Sequence, residues 1–248
     1  MRIFILSILI SLFSFTVGAQ NPVSIGSFGG PASMSLSSFN GITNDTLYLR
    51  MYHNAIKYGD YRLAINSMQA LYAMHPDSIK FLDSVCIMCS EIQEYAQCIL
   101  TGNQVLKTMP DDIPTIEAVA LSNQHVGRYE EALGLFQVEY EKNKSMYACY
   151  QIAVLQFSLQ QNGKAQATLD RLISDKRAMT NKIGFSTSNN STQQVFYKAA
   201  AENLMGVIYK DLKDLAKAKS SFEAALSIQP DFILAKNNLE ALEKKGEK

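Results

Sequence analysis

Residues 206–230 read GVIYKDLKDLAKAKSSFEAALSIQP. A small residue, Gly206, is followed three places on by the aromatic Tyr209. Ala218 is followed by Phe222 and Ala225, and Pro230 closes the stretch. Apolar residues at three- and four-residue spacing on either side of Lys213-Asp214 describe two helices joined by a short turn. The same turn recurs upstream as Gly59-Asp60-Tyr61-Arg62-Leu63-Ala64, Gln93-Glu94-Tyr95-Ala96-Gln97-Cys98 and Gly127-Arg128-Tyr129-Glu130-Glu131-Ala132, each 34 residues after the last. A looser copy, Asn162-Gly163-Lys164-Ala165-Gln166-Ala167, is displaced by about one residue. A period that keeps its phase over consecutive copies is the mark of stacked supersecondary units.

The pattern resembles the tetratricopeptide repeat (TPR), whose small and large residues recur over 34 positions. Tyr48, Ala64, Met68, Leu71 and Pro76 take the corresponding places in the first copy, and Leu82, Cys86, Cys98, Gly102 and Pro110 in the second. Ile116, Ala120, Ala132 and Phe136 take them in the third. The chain departs from the family in having no Trp, and the third and fourth copies lack the closing Pro. The resemblance implies an all-α fold: a right-handed α-solenoid of about five helix-turn-helix repeats plus a C-terminal capping helix. Small residues such as Ala64, Ala132 and Ala218 let paired helices approach, and Phe136 and Phe222 fill the gap to the next unit. The prolines stop one helix and set the angle to the next.

The repeats are expected near 45–78, 79–112, 113–146 and 147–173, then at 192–232, with a cap at 233–248; Phe232 to Lys245 reads as one amphipathic helix on which Phe232, Leu234, Leu239 and Leu242 face inward. Between the fourth and fifth repeats an insertion, 174–191, carries Lys176, Arg177 and Lys182 and the apolar Ile183-Gly184-Phe185. A long stretch of this kind is expected to be disordered, to pack as a flap, or to contact a partner.

Residues 1–19 read as a secretory signal peptide. Met1-Arg2 is a positive start, Ile3 to Phe15 is largely apolar, and Val17 and Ala19 stand at the cleavage positions. Residues 20–44, rich in Gly, Ser, Asn and Pro, read as a flexible lead-in. The mature chain is expected to be exported, periplasmic or secreted, without membrane insertion after cleavage.

In the 248 residues, Lys and Arg number 23 and Asp and Glu 23, so the net charge is zero. A nucleic-acid binder would show a basic surplus, so nucleic acid is not an expected partner. At 47% hydrophobic the chain can build a core, and 13 Gly and 6 Pro suit helices better than a β-sandwich. The charge is uneven: 45–146 holds 13 acids and 8 bases, whereas 147–198 holds 2 acids and 6 bases.

No catalytic constellation stands out. Cys86-Ile87-Met88-Cys89 lies mid-helix, where a thiolate gains no helix-terminus stabilisation, and no second CxxC completes a zinc site. His53, His75 and His125 are scattered, with His53 and His125 expected on the inner face of first helices. Asp111-Asp112 and Glu130-Glu131 read as first-turn helix charges. Neither a cofactor nor a metal is expected, and the chain reads as a non-enzyme. The resemblance places Cys86 and Cys98 at the two small positions where paired helices come closest, so they are either bridged or two buried thiols.

In TPR proteins the inner groove is lined by first-helix residues. Carried over, these are Leu49, His53 and Ile56; Asp83, Ile87 and Ser90; Glu117, Leu121 and Gln124; Gln151, Leu155 and Ser158; and Asn203, Val207 and Lys210. The Lys/Asn/Arg clamp that grips a C-terminal carboxylate in some relatives is missing from the first three copies. The resemblance therefore implies a non-catalytic scaffold in the cell envelope that takes a protein partner, as a peptide or a helix, in this groove. The alternative is an exported carbohydrate- or small-molecule-binding protein using the groove and the 174–191 segment. The oligomeric state is left open.

Overall fold

The computed structural model describes residues 43–187 and 191–246. The signal peptide, all but the end of the lead-in, and residues 188–190 of the insertion lie outside the described residues. The described chain forms two compact units that meet in sequence between Gln161 and Asn162.

The first unit is built from α1 (Asn44–Tyr58), α2 (Tyr61–Met74), α3 (Lys80–Glu91), α4 (Tyr95–Thr108), α5 (Ile113–His125), α6 (Tyr129–Asn143) and α7 (Met146–Ser158). Each helix packs on the next, and α3 also packs on α5, the first helix of one pair against the first helix of the following pair. Several helices start at a side-chain cap that satisfies an orphan amide. Asp60 accepts from Leu63 N–H at 3.0 Å, Asp112 from Thr115 N–H at 3.0 Å and Ser145 from Ala148 N–H at 3.1 Å. Asp112, expected as a first-turn charge, is thus a cap, and its neighbour Asp111 pairs with Lys142 at 2.5 Å.

The turn inside each hairpin needs a left-handed residue. Gly59 (φ 71°) and Gly127 (φ 82°) supply it without strain, whereas Gln93 (φ 64°) adopts it with a side chain. The small positions behave as their sizes demand. Ala64, Cys86, Cys98, Ala120 and Ala132 have no exposed surface. Gly102 also marks a close approach. A Cβ there would overlap Val119 Cγ2 and lie 2.7 Å from Cys86 Sγ. Phe136 is fully buried with its ring edge-on to Tyr147, 6.1 Å between centroids.

The second unit holds α8 (Asn162–Ser174), a 3-10 turn at Lys176–Met179, strands β1 (Lys182–Ser186) and β2 (Thr192–Phe196), and helices α9 (Tyr197–Asp211), α10 (Leu215–Ile228) and α11 (Ile233–Gly246). The segment expected as an insertion up to 191 therefore contributes one strand of a β-hairpin, and its partner strand lies beyond that limit. The strands are antiparallel, with Ile183 opposite Val195 and Phe185 opposite Gln193. Period-2 alternation buries Ile183, Phe185 and Val195.

Two glutamines fasten the hairpin to the turn between α10 and α11. Gln229 accepts from Phe196 N–H at 3.0 Å and donates to the Gln194 carbonyl at 3.1 Å. Gln193 donates to the Asp231 carbonyl at 2.6 Å and accepts from Ile233 N–H at 3.1 Å. Phe185 and Phe232 pack beside this clasp, ring centroids 5.4 Å apart. On α11, Leu242 and Leu239 pack against Ala218, Phe222 and Val207, the role expected of the cap. Outside the hairpin the described residues are all-α, in consecutive helix-turn-helix pairs. No described helix is long and apolar enough to cross a membrane.

Candidate functional site

The first helices carry the residues expected to line a groove. In the first unit these lie on α1, α3, α5 and α7; Asn203, Val207 and Lys210 lie on α9 in the second unit. Their surroundings differ. His53 is exposed and meets Tyr52 edge-on at 5.3 Å. Leu49 and Ile56 are half-buried against a core that includes Ala64, Val85 and Cys86. Ile87 and Ser90 are half-buried, as are Gln124 and Ser158. Leu121 is half-buried against Ala132, Phe136 and Leu155. Gln151 and Leu155 have no exposed surface, so both are interior residues and neither offers a side chain to a ligand. Asn203 is also buried and accepts from Asn238 Nδ2 at 2.9 Å, which makes it a strut between α9 and α11.

The acids give the first unit its electrostatic character. Asp83 on α3 accepts from Thr115 Oγ1 of α5 at 2.7 Å. Burial pushes its carboxyl up from the ordinary range, and the neighbouring Asp112 adds to this. Glu117 on α5 is pushed up to about 7, first by burial and then by the charge of Glu139. Glu139 on α6 is 2% exposed, its Oε2 lacks a hydrogen-bond partner, and burial raises its carboxyl too. None of these three carboxylates forms an ion pair among the described residues. A first-helix rule reaches Asp83 and Glu117. It does not reach Glu139, which belongs to a second helix.

The histidines serve separate local purposes. His125, expected on the inner face, stacks on Tyr95 at the start of α4, with centroids 4.4 Å apart and planes 6° from parallel. Burial lowers its pKa. His75 bonds Asp45 of α1 at 2.8 Å. Cys86 and Cys98 stand as two fully buried thiols with sulfurs 3.4 Å apart, not joined by a disulfide, and Cys89 and Cys149 are buried thiols. Among the described residues no three His, Cys, Asp or Glu side chains gather as a metal site requires.

Residues 203–232 match the sequence model of the tetratricopeptide repeat. No curated protein matches the chain by sequence. Among solved structures the chain is similar to a MamA protein at 15% identity and a TM-score of 0.62, over 75% of this chain and 92% of that one. It is similar to MamA from Desulfovibrio magneticus RS-1 at 12% identity and a TM-score of 0.62, over 77% and 97%. A third is YrrB, described as a TPR protein with an unusual peptide-binding site, at 14% identity and a TM-score of 0.61, over 77% and 89%. At such identities the likeness is one of fold. The chain has the fold of solved TPR proteins, and its residues 203–232 carry the repeat in recognisable sequence.

Proposed function

We propose that this chain is a non-catalytic interaction scaffold whose first unit takes a peptide or helix against its first helices. The observation that carries the reading is the arrangement on α3 and α5. Ile87 and Leu121 offer apolar surface there, and Asp83 and Glu117 stand one repeat apart at the same register, neither in a salt bridge among the described residues, with Lys80 exerting only a minor influence on Asp83. A half-buried carboxylate without an ion-pair partner is an incomplete electrostatic arrangement. A Lys or Arg on the partner completes it, while apolar partner residues rest on Ile87 and Leu121. The surplus of acids over bases in 45–146 favours the same partner by long-range attraction. Export to the cell envelope is part of the proposal and rests on residues 1–19. An N-terminus at Gln20 in protein recovered from cells, read by mass spectrometry, is the expected result.

Peptide display against the full mature chain tests the binding reading. Enrichment of sequences that place a basic residue beside apolar ones is expected. Binding of the selected peptides should weaken at least tenfold in Glu117→Lys and in Ile87→Asp. Selection of no peptide, or peptides whose binding ignores both substitutions, overturns it.

A further inference from the structure

Cysteine occupies the tightest point of one hairpin. At the corresponding places, twelve residues apart, other hairpins have Ala120 with Ala132 and Gly206 with Ala218. These pairs are inert. In the hairpin of α3 and α4 both places are thiols, Cys86 and Cys98, with sulfurs 3.4 Å apart and no exposed surface on either residue. Backbone carbonyls hold them in place: Cys86 Sγ lies 3.5 Å from the Cys98 oxygen, and Cys98 Sγ lies 3.5 Å from the Ala118 oxygen on α5. Gly102, one turn along α4, leaves the space that Cys86 uses, since a Cβ there would come within 2.7 Å of its sulfur. The two sulfurs are in contact, with no other group between them.

We infer that Cys86 and Cys98 form a disulfide that joins α3 to α4 when the chain meets a thiol oxidant. The oxidant is a compound that itself carries a disulfide, either a small-molecule disulfide or the redox-active pair of an oxidoreductase. The Cys98 thiolate attacks one oxidant sulfur and forms a mixed disulfide, and one oxidant thiolate leaves. The Cys86 thiolate then attacks the Cys98 sulfur, forms the Cys86–Cys98 bond and releases the second oxidant thiolate. The two protons lost by the cysteines end on the two oxidant thiols; the chain is oxidised by two electrons and the oxidant reduced by two. In the open hairpin the roles of the two thiolates are interchangeable, and the same Cys86–Cys98 bond results. Cys89, three residues from Cys86, is left out of the bond because closing the hairpin brings the Cys98 sulfur onto Cys86.

Full burial sets the timing. An oxidant cannot reach either sulfur in the closed core, so the bond forms while the hairpin is still open during folding. The bond then stabilises by limiting the freedom of the unfolded chain. This inference does not depend on what the groove binds.

The test is to refold the full chain in a buffer of oxidised and reduced glutathione. The remaining thiols are then alkylated under denaturing conditions, and the chain is cleaved at Glu91 and Glu94 for mass spectrometry. The expected product is the Cys86 peptide joined to the Cys98 peptide, with Cys89 and Cys149 alkylated. Fragmentation places the bond, and Cys89→Ser leaves it intact. Cys98→Ala, which puts at this place the alanine used by other hairpins, abolishes the bond and still folds. A reducing agent should lower the thermal midpoint of the wild type and leave that of Cys98→Ala unmoved. Recovery of all four cysteines alkylated, or a bond from Cys98 to Cys89, overturns the inference.

Discussion

The ring of Phe222 occupies the space that a side chain on Gly206 would need. A Cβ at Gly206 would lie 2.5 Å from Phe222 Cε1 and 2.6 Å from Cδ1, and Phe222 itself is fully buried. A ring wedged in a core cannot turn aside as the tip of a surface side chain does. Gly206→Ala should therefore destabilise the chain by roughly 1–2 kcal/mol, although alanine is the better helix former by about 0.5–1 kcal/mol. Urea unfolding of both proteins measures this. A variant as stable as the wild type would show that the α9–α10 contact has slack.

Glu117 links stability to pH. Its carboxyl titrates at about 7 in the folded chain, above its ordinary value, so at intermediate pH the folded state keeps a proton that the unfolded state has released. The contribution is complete below the unfolded pKa and is lost as pH rises through about 7. Glu139, Asp83, Glu91 and Glu202 are shifted the same way, and His125 is lowered, so the useful quantity is a difference between variants. Between pH 5.5 and 8 the wild type should lose roughly 2 kcal/mol more than Glu117→Gln. Equal slopes for the two proteins would sink the assignment.

The hairpin turns contain strain that glycine removes. Gln93 (φ 64°) and Lys213 (φ 67°) sit in left-handed backbone, Gln93 at the place where Gly59 and Gly127 do so freely. Gln93→Gly and Lys213→Gly should each stabilise by about 0.5–1 kcal/mol, net of the greater freedom glycine gains when unfolded. A rise in thermal midpoint checks each, and a fall would mean that the side chains contribute more than the strain costs.

Gln229 is 7% exposed and holds two backbone groups of the β-hairpin. Gln229→Ala leaves the Phe196 N–H and the Gln194 carbonyl without their partner, at a cost of about 2–3 kcal/mol. Gln229→Glu keeps the acceptor and loses the donor, and should fall between the two. Denaturant midpoints in the order wild type, Glu, Ala are expected; a variant indistinguishable from wild type would show that the clasp carries no stability.

Repeat phase was legible because its signals are local. Ala64, Ala132 and Ala218 mark close approach, and Gly59 and Gly127 mark the turn, in any order the chain is read. The groove was legible in part. Helical period places Asp83 and Glu117 on one face, but the influence of Glu139 comes from a different helix and appears once the chain is folded. The burial of Gln151 and Leu155 depends on what packs around α7, which the helix's own sequence does not name. The hairpin was hidden for another reason. Thr192–Phe196 has two consecutive glutamines and no strong apolar alternation, and the groups that fasten it, Gln229, the Asp231 carbonyl and the Ile233 amide, lie in distant sequence.

The glutamine clasp ties two amides to one event. Ile233 N–H, the first of α11, is held by Gln193, and Phe196 N–H, the last of β2, is held by Gln229. Neither amide can exchange with solvent deuterium while both glutamines stay in place. The far end of the C-terminal helix can fray alone, but its first turn and the hairpin release together. Amide exchange should find Phe196 and Ile233 opening at one shared rate, although 36 residues separate them in the chain.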